Sequence, residues 1–241
     1  MKKYLYFLLL FLILYIIIKL LYIECFNNTN IQFLNKDELY VVLKSNNTYY
    51  STFYNNDMKV RNIKSLEEYF KNIKESVVDF NENEKDILIL QCEKADNIIK
   101  NINMIGFDGI KCSNIMWKFG LTKGKLYEEG LPHTVKDTII LNRNIFSNIN
   151  TLIHEKIHIY QKMYPEDIKL WLKNNNFRIV KEREENDNVR ANPDIDKYIY
   201  MKNNTLYSNT YNDNPKSILD VTNSQLYEHP FEYMAIVLST Y

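Results

Sequence analysis

The chain has 241 residues, of which 46% are hydrophobic and 25% charged, an ordinary globular composition that excludes a disordered or collagen-like protein. Thirty Lys and Arg residues balance thirty Asp and Glu residues, so the chain lacks the basic excess that is typical of nucleic-acid-binding proteins. We therefore expect no nucleic-acid partner. The three cysteines are too few for a disulfide-built scaffold, although Cys92 and Cys112 could pair and leave Cys25 near the N-terminus.

The N-terminus begins with an apolar run over residues 4–23 that only Lys19 interrupts. A helix of this length spans roughly the 30 Å hydrocarbon core of a bilayer, at about 1.5 Å per residue. We therefore predict that residues 1–25 are a single-pass anchor that contacts the lipid bilayer. Lys2 and Lys3 favour a cytoplasmic N-terminus, which places the following domain on the lumenal or exterior side of a viral or host membrane. A cleaved signal peptide is the alternative, but no small-x-small cleavage site follows the run.

The remaining residues 26–241 are predicted to form one α+β domain, because no repeat or linker divides them. Short β-type runs predict strands at Leu39–Leu43 and Tyr49–Tyr54. A capping-box pattern that begins at Ser65 predicts a helix start, and apolar spacing predicts a second helix over Glu84–Ile102. Later patterns predict strands at Ile115–Leu121 and Thr138–Leu141, helices at Asn150–Met163, Glu166–Lys173 and Phe231–Thr240, and a polar stretch at Lys181–Lys216.

The candidate chemistry is concentrated in the sequence HEKIH, from His154 to His158. Histidines four positions apart lie on the same face of a helix, which is the separation that two imidazoles need to share one tetrahedral Zn²⁺. Glu155 lies beside the first histidine and could act as a general base toward a water molecule. An amphipathic helix with two hydrogen-bonded histidines and no metal is the alternative interpretation.

Three features together resemble the gluzincin branch of zinc metallopeptidases: HEKIH, the preceding strand TIIL, and a downstream Glu232-x-x-Ala235. The region Gly130–Ala235 also resembles uncharacterised zincin-like proteins of large AT-rich DNA viruses. The resemblance implies a zincin fold, a zinc site formed by His154, His158 and Glu232, and hydrolysis of peptide bonds.

Glutamate-type zincins take their third zinc ligand from a second helix downstream, where this chain has the segment YEHPFEYMA. Glu232 falls in the first turn of that helix and is the first candidate. His229 is the rival ligand, but it directly precedes a proline and is expected to cap the helix. Glu228 could accept a hydrogen bond from a ligand histidine or could simply be solvated. The chain departs from the gluzincin pattern at Ile236, where an acidic residue is usual.

Two further residues are candidates for stabilising an oxyanion. In zinc peptidases the strand before the active-site helix usually forms the rim of the cleft, and its edge can pair with an extended peptide. His133 lies in the turn that leads into this strand, and Tyr227 lies near the candidate third ligand. Each has an alternative interpretation, as a solvated loop histidine and as one of the 19 tyrosines of the chain.

These observations favour a membrane-anchored zinc metallopeptidase that hydrolyses a peptide or protein substrate, with Glu155 as general base. The alternative is a non-catalytic, membrane-anchored module of a virion or envelope, in which zinc is structural or absent. A zinc-dependent hydrolase that acts on other amides is a third hypothesis.

Overall fold

The computed structural model describes residue 12, residues 14–15, residues 30–144 and residues 146–241. Over these ranges the protein has the α+β composition that the sequence predicts. Its helices are α1 (Lys36–Lys44), α2 (Asn47–Tyr50), α3 (Asn55–Val60), α4 (Leu66–Ser76), α5 (Glu82–Ile99), α6 (Gly109–Ser113), α7 (Ile149–Met163), α8 (Pro165–Asn174) and α9 (Pro230–Ser239).

The strands form one mixed sheet and two smaller antiparallel sheets. They are β1 (Ile31–Phe33), β2 (Val77–Val78), β3 (Asn103–Met104), β4 (Phe107–Asp108), β5 (Trp117–Thr122), β6 (His133–Val135), β7 (Thr138–Asn142), β8 (Arg178–Glu182), β9 (Tyr198–Lys202) and β10 (Thr205–Tyr207). The mixed sheet has the order β1-β5-β7-β6, and β2 also pairs with β5. Strands β1, β5 and β7 run parallel, whereas β6 is antiparallel to β7 and forms the edge of the sheet on that side.

The main core lies between the mixed sheet and the helices α5, α7 and α9. Leu88 of α5, Phe119 of β5, Ile157 of α7 and Ala235 of α9 belong to one buried apolar cluster, and each is fully buried. The small Ala235 side chain lets α9 lie close against α7. The helix that carries HEKIH is therefore fixed from several sides by close packing.

The predicted helices and strands between residues 65 and 174 are confirmed, with small shifts at their ends. The strands predicted at Leu39–Leu43 and Tyr49–Tyr54 are wrong, because helices α1 and α2 occupy this region. Asn35 caps α1 by accepting hydrogen bonds from the first-turn amides, and the Glu38 carboxylate accepts a hydrogen bond from the Asn35 amide. This capping box, together with burial of Leu39 and Leu43 on one helical face, outweighs the β propensity of the run.

The single-pass anchor predicted for residues 4–23 requires a correction. Most of that run lies outside the described residues, which include only Leu12, Leu14 and Tyr15 of it. In the described part of the chain, no helix has both the length and the apolar composition needed to cross a bilayer. The longest of these helices, α5, has 18 residues but contains seven charged ones. The predicted fold, a domain behind a transmembrane helix, is therefore corrected to an α+β fold. The single-pass membrane location depended on that helix and is corrected with it.

The possible disulfide between Cys92 and Cys112 is also wrong. Both cysteines are free and buried, and Cys25 lies outside the described residues. Burial raises the pKa of the Cys112 thiol to about 12, so it stays protonated and packs as a small apolar side chain.

Candidate metal centre

Helix α7 places His154 and His158 one above the other. Asn148 begins the helix by accepting a hydrogen bond from the Thr151 amide, and Tyr164 ends it before Pro165. The two imidazole rings have centroids 4.7 Å apart, and their Nε2 atoms lie 3.0 Å apart. Both Nε2 lone pairs can therefore be directed to a single ion.

The third donor atom comes from Glu232, in the first turn of α9. Its Oε2 lies 3.3 Å from Nε2 of His154 and 3.7 Å from Nε2 of His158. A tetrahedral zinc ion with ligand bonds of about 2.0–2.1 Å has ligand atoms separated by about 3.3 Å. The three donor atoms thus have the spacing and the chemical types that a zinc ion requires, and they form the group of His, Cys, Asp and Glu side chains in the described chain that could hold a metal.

The charges around these donors also suit a cation. Burial opposes protonation of His158, yet the negative charges of Asp194 and Glu232 outweigh it and raise the pKa of the imidazole. Burial likewise opposes ionisation of Glu232, but the charge of His158 and the hydrogen bonds with both histidines hold the pKa of its carboxyl well below its usual range. The site therefore favours a positive charge between its three side chains.

Gln161 fixes the tautomer of His158. Its Oε1 lies 2.8 Å from Nδ1 of His158, and its Nε2 donates to the carbonyl of Phe231 at 3.0 Å. Because that carbonyl can only accept, the Gln161 amide orientation is determined, and Nδ1 of His158 must be the donor to Oε1. Nε2 of His158 then carries the free lone pair that a metal needs.

We expect Gln161→Leu to weaken zinc binding about 10–100-fold, because the histidine loses the acceptor that holds its orientation and tautomer. Zinc affinity measured by competition with a chromogenic chelator tests this. Gln91→Leu, at a partly buried position of α5, is the matched control and should bind zinc like the wild type. Equal affinities for all three proteins would contradict a role for Gln161 in the site.

Glu232 is held by two amide side chains. Asn192 donates to its Oε1 at 2.8 Å, and Gln225 donates to its Oε2 at 2.7 Å. Asn192 also donates to Glu228 at 3.2 Å, and Glu228 forms a buried ion pair with Arg190. Glu228 is therefore neither a solvated charge nor an acceptor for a ligand histidine; it supports Asn192, which in turn orients Glu232.

Glu155 is buried beside this group, and its Oε2 has no hydrogen-bond partner. Burial, reinforced by the charge of Asp194, raises the pKa of the Glu155 carboxyl well above its usual range. An unpaired buried carboxylate oxygen is costly and is expected to have a functional reason. A water molecule held at the metal centre would supply the missing donor, so the orphaned oxygen fits a metal site.

A cavity of about 440 Å³ opens onto His154, Glu155 and Glu232. It provides space for a substrate at the face of the metal centre. Its lining also includes the apolar residues Leu131, Pro132, Ile218, Leu219 and Val221.

The other candidates from the sequence occupy different environments. His133 lines the cavity, but its Nε2 pairs with the Tyr127 hydroxyl and its Nδ1 with the Leu131 carbonyl, each at 2.9 Å. Burial lowers the pKa of His133, so the ring is neutral and neither nitrogen is free for an oxyanion in this structure. Tyr227 is 43% exposed and does not line the cavity.

His229 caps α9, as the sequence predicts, and is not grouped with the three side chains that could hold a metal. Its Nδ1 accepts a hydrogen bond from the Phe231 amide, and its Nε2 lies 3.1 Å from Asp196. With both ring nitrogens engaged, His229 has no lone pair for a metal.

Five residues around the site were not predicted from the sequence: Gln161, Lys162, Asn192, Asp194 and Gln225. The first two follow His158 by three and four positions on the same helix, so helical spacing could have indicated them. Asn192 and Asp194 lie in the predicted polar stretch, where no local pattern distinguishes them from their neighbours.

No family model matches the chain, and no curated protein or solved structure matches it either.

Proposed function

We propose that the protein is a zinc-dependent peptidase in which His154, His158 and Glu232 hold Zn²⁺ and Glu155 is the general base. The observation that carries this proposal is the convergence of three donor atoms, at the spacing of a tetrahedral site, beside a buried carboxylate oxygen without a partner. The resemblance of HEKIH and Glu232 to the gluzincin pattern supports the same proposal.

The number of ligands favours a catalytic zinc over a structural one. Structural zinc sites usually have four protein ligands and are closed, whereas catalytic sites have three and leave a position open. Here three side chains converge, and the cavity reaches His154 and Glu232. The open position would therefore face the substrate.

The side chains of the site have distinct tasks in hydrolysis. When bound, zinc supplies a Lewis acid that polarises the scissile carbonyl and acidifies a water molecule. Glu155 accepts the proton of the attacking water at Oε2 and transfers it to the leaving amine. Gln161 and Asn192 keep His158 and Glu232 in position, so the geometry does not have to be formed during the reaction.

Metal content and metal-dependent cleavage test the proposal. We expect the purified chain to bind about one zinc ion and to cleave members of a random peptide library, with activity lost on chelation and restored by zinc. Elemental analysis and mass spectrometry of the products provide the two measurements. Cleavage that persists in the metal-free protein would contradict the proposal, and so would a failure to bind zinc. Stoichiometric zinc without cleavage would favour the non-catalytic alternative.

A further inference from the structure

The outward main-chain groups of the edge strand β6 are occupied by side chains of the same protein. Strand β6 pairs with β7 on one side, with Thr134 opposite Ile139. The Thr134 amide donates to Oδ1 of Asp194 at 2.9 Å instead of to β7. In an antiparallel pair, the amide and carbonyl of one residue face the same side, so both of these groups of Thr134 face away from the sheet.

The outward carbonyl of Thr134 is also occupied. Nζ of Lys162 donates to it at 2.9 Å, and the same ammonium lies 3.1 Å from Oδ1 of Asp194 and 3.2 Å from the Pro193 carbonyl. The hydroxyl of Thr134 donates to Asp194 as well. Because β6 has three residues, its middle residue supplies the main-chain groups that an added strand would use, and both groups are already paired.

The segment that closes this edge is connected to the metal centre. The amide of Asp194 donates to Oδ1 of Asn192 at 2.9 Å, and Asn192 donates in turn to the ligand candidate Glu232. Arg190, at the start of the segment, pairs with buried Glu228. We call residues 190–194 the strap. Moving the strap away from β6 would disturb the side chain that orients Glu232.

These contacts exclude the usual way in which a sheet edge binds an extended chain. β-Strand addition needs free amide and carbonyl groups on the edge strand, and here it would break the Lys162–Asp194 ion pair and the hydrogen bonds that occupy the Thr134 amide and carbonyl. The cavity of about 440 Å³ lies at the small end of the range of roughly 300–1,000 Å³ for small-molecule sites. The site therefore has room for a short substrate, but it offers no free strand edge along which a long, extended chain could bind.

We propose that the enzyme acts on short peptides or chain ends and not on the interior of an extended polypeptide, because the strap closes the β6 edge. This inference rests on the proposed peptidase function and specifies its substrate class.

The test compares two substrates with the zinc-loaded full chain. We expect kcat/KM for peptides of about three to five residues to exceed that for internal bonds of a chemically unfolded polypeptide by at least about tenfold. Lys162→Met removes the ammonium that ties the strap to β6, so internal cleavage should rise relative to cleavage of short peptides. Lys169→Met is the matched control, since the Lys169 side chain is 70% exposed and pairs with Glu166 on the surface.

Amide hydrogen exchange provides a measurement that does not depend on activity. The Thr134 amide should exchange slowly in the wild type and in Lys169→Met, and faster in Lys162→Met. Rapid exchange of this amide in the wild type would overturn the inference, because the edge would then be open. Internal cleavage as efficient as cleavage of short peptides would overturn it while leaving the zinc peptidase intact. Absence of cleavage of both substrates by the zinc-loaded wild type would overturn both proposals together.

Discussion

Replacement of Glu155 by Gln should give a folded, zinc-loaded protein that cleaves peptides at least about a hundredfold more slowly than the wild type. Gln keeps the size of the side chain and its hydrogen-bonding capacity but cannot accept the proton of the attacking water. General-base assistance typically contributes 10²–10⁴-fold, or roughly 3–5 kcal/mol of activation free energy. Initial rates on a single cleaved peptide, at equal zinc content, measure the effect.

The same substitution should not destabilise the fold. The Glu155 carboxyl is buried near Asp194, which raises its pKa, and its Oε2 has no hydrogen-bond partner, so its ionised form is disfavoured in the metal-free protein. A neutral amide cannot ionise, and we expect the metal-free Glu155→Gln protein to unfold at the same temperature as the wild type or at a higher one. A loss of activity caused by misfolding would instead lower the unfolding temperature.

Glu166→Gln is the matched control for this experiment. Glu166 is on α8, its side chain is 79% exposed, and its ion pair with Lys169 is a surface pair of little energetic weight. This variant should cleave peptides at the wild-type rate. If Glu155→Gln did so as well, Glu155 would not be the base, and the activity would belong to another group or to a contaminant.

The HEKIH helix and the third donor could be predicted because their signals are local. His154 and His158 are related by helical spacing, and Pro230 marks the start of the helix whose first turn contains Glu232. Packing then brings the two helices together, which Ala235 permits through its small size. Local patterns of this kind are sufficient to identify the donor set, although not the distances between the donors.

The strap could not be predicted, because its contacts are between residues far apart in the chain. Asp194 reaches Thr134 across 60 positions, and Asn192 reaches Glu232 across 40. In the sequence, both residues belong to a polar stretch whose composition resembles that of a solvated loop. Their role arises only when β6 and α7 come together to form the surface that the strap covers.

The incorrect strands near the N-terminus have a different cause. The pair Asn35 and Glu38 has the spacing of a capping box and precedes buried Leu39 and Leu43 at helical spacing. This information is present in the sequence, but the β-branched and aromatic residues of the run carry the opposite propensity. Capping and burial determine the outcome, as is usual when propensity alone is weak.

Replacement of His154 by Ala should abolish stoichiometric zinc binding. Zinc in small structural sites is bound with about 10–16 kcal/mol, so one ligand is worth roughly 3 kcal/mol, or on the order of a hundredfold in affinity. His154 is the more exposed of the two histidines, with a side chain 14% exposed against 0% for His158, so its removal should leave the packing of α7 intact. Elemental analysis after gel filtration measures zinc content, and the unfolding temperature of the metal-free protein checks the fold.

His229→Asn separates the two candidate histidine sites in the same experiment. Asn retains an acceptor that can cap α9, whereas it removes the imidazole that the sequence left as the rival ligand. Because both nitrogens of His229 are engaged by the Phe231 amide and Asp196, we expect this variant to retain about one zinc ion per chain. If His229→Asn lost zinc and His154→Ala kept it, the metal would be bound at His229. That result would contradict the assignment of the zinc site to the HEKIH helix.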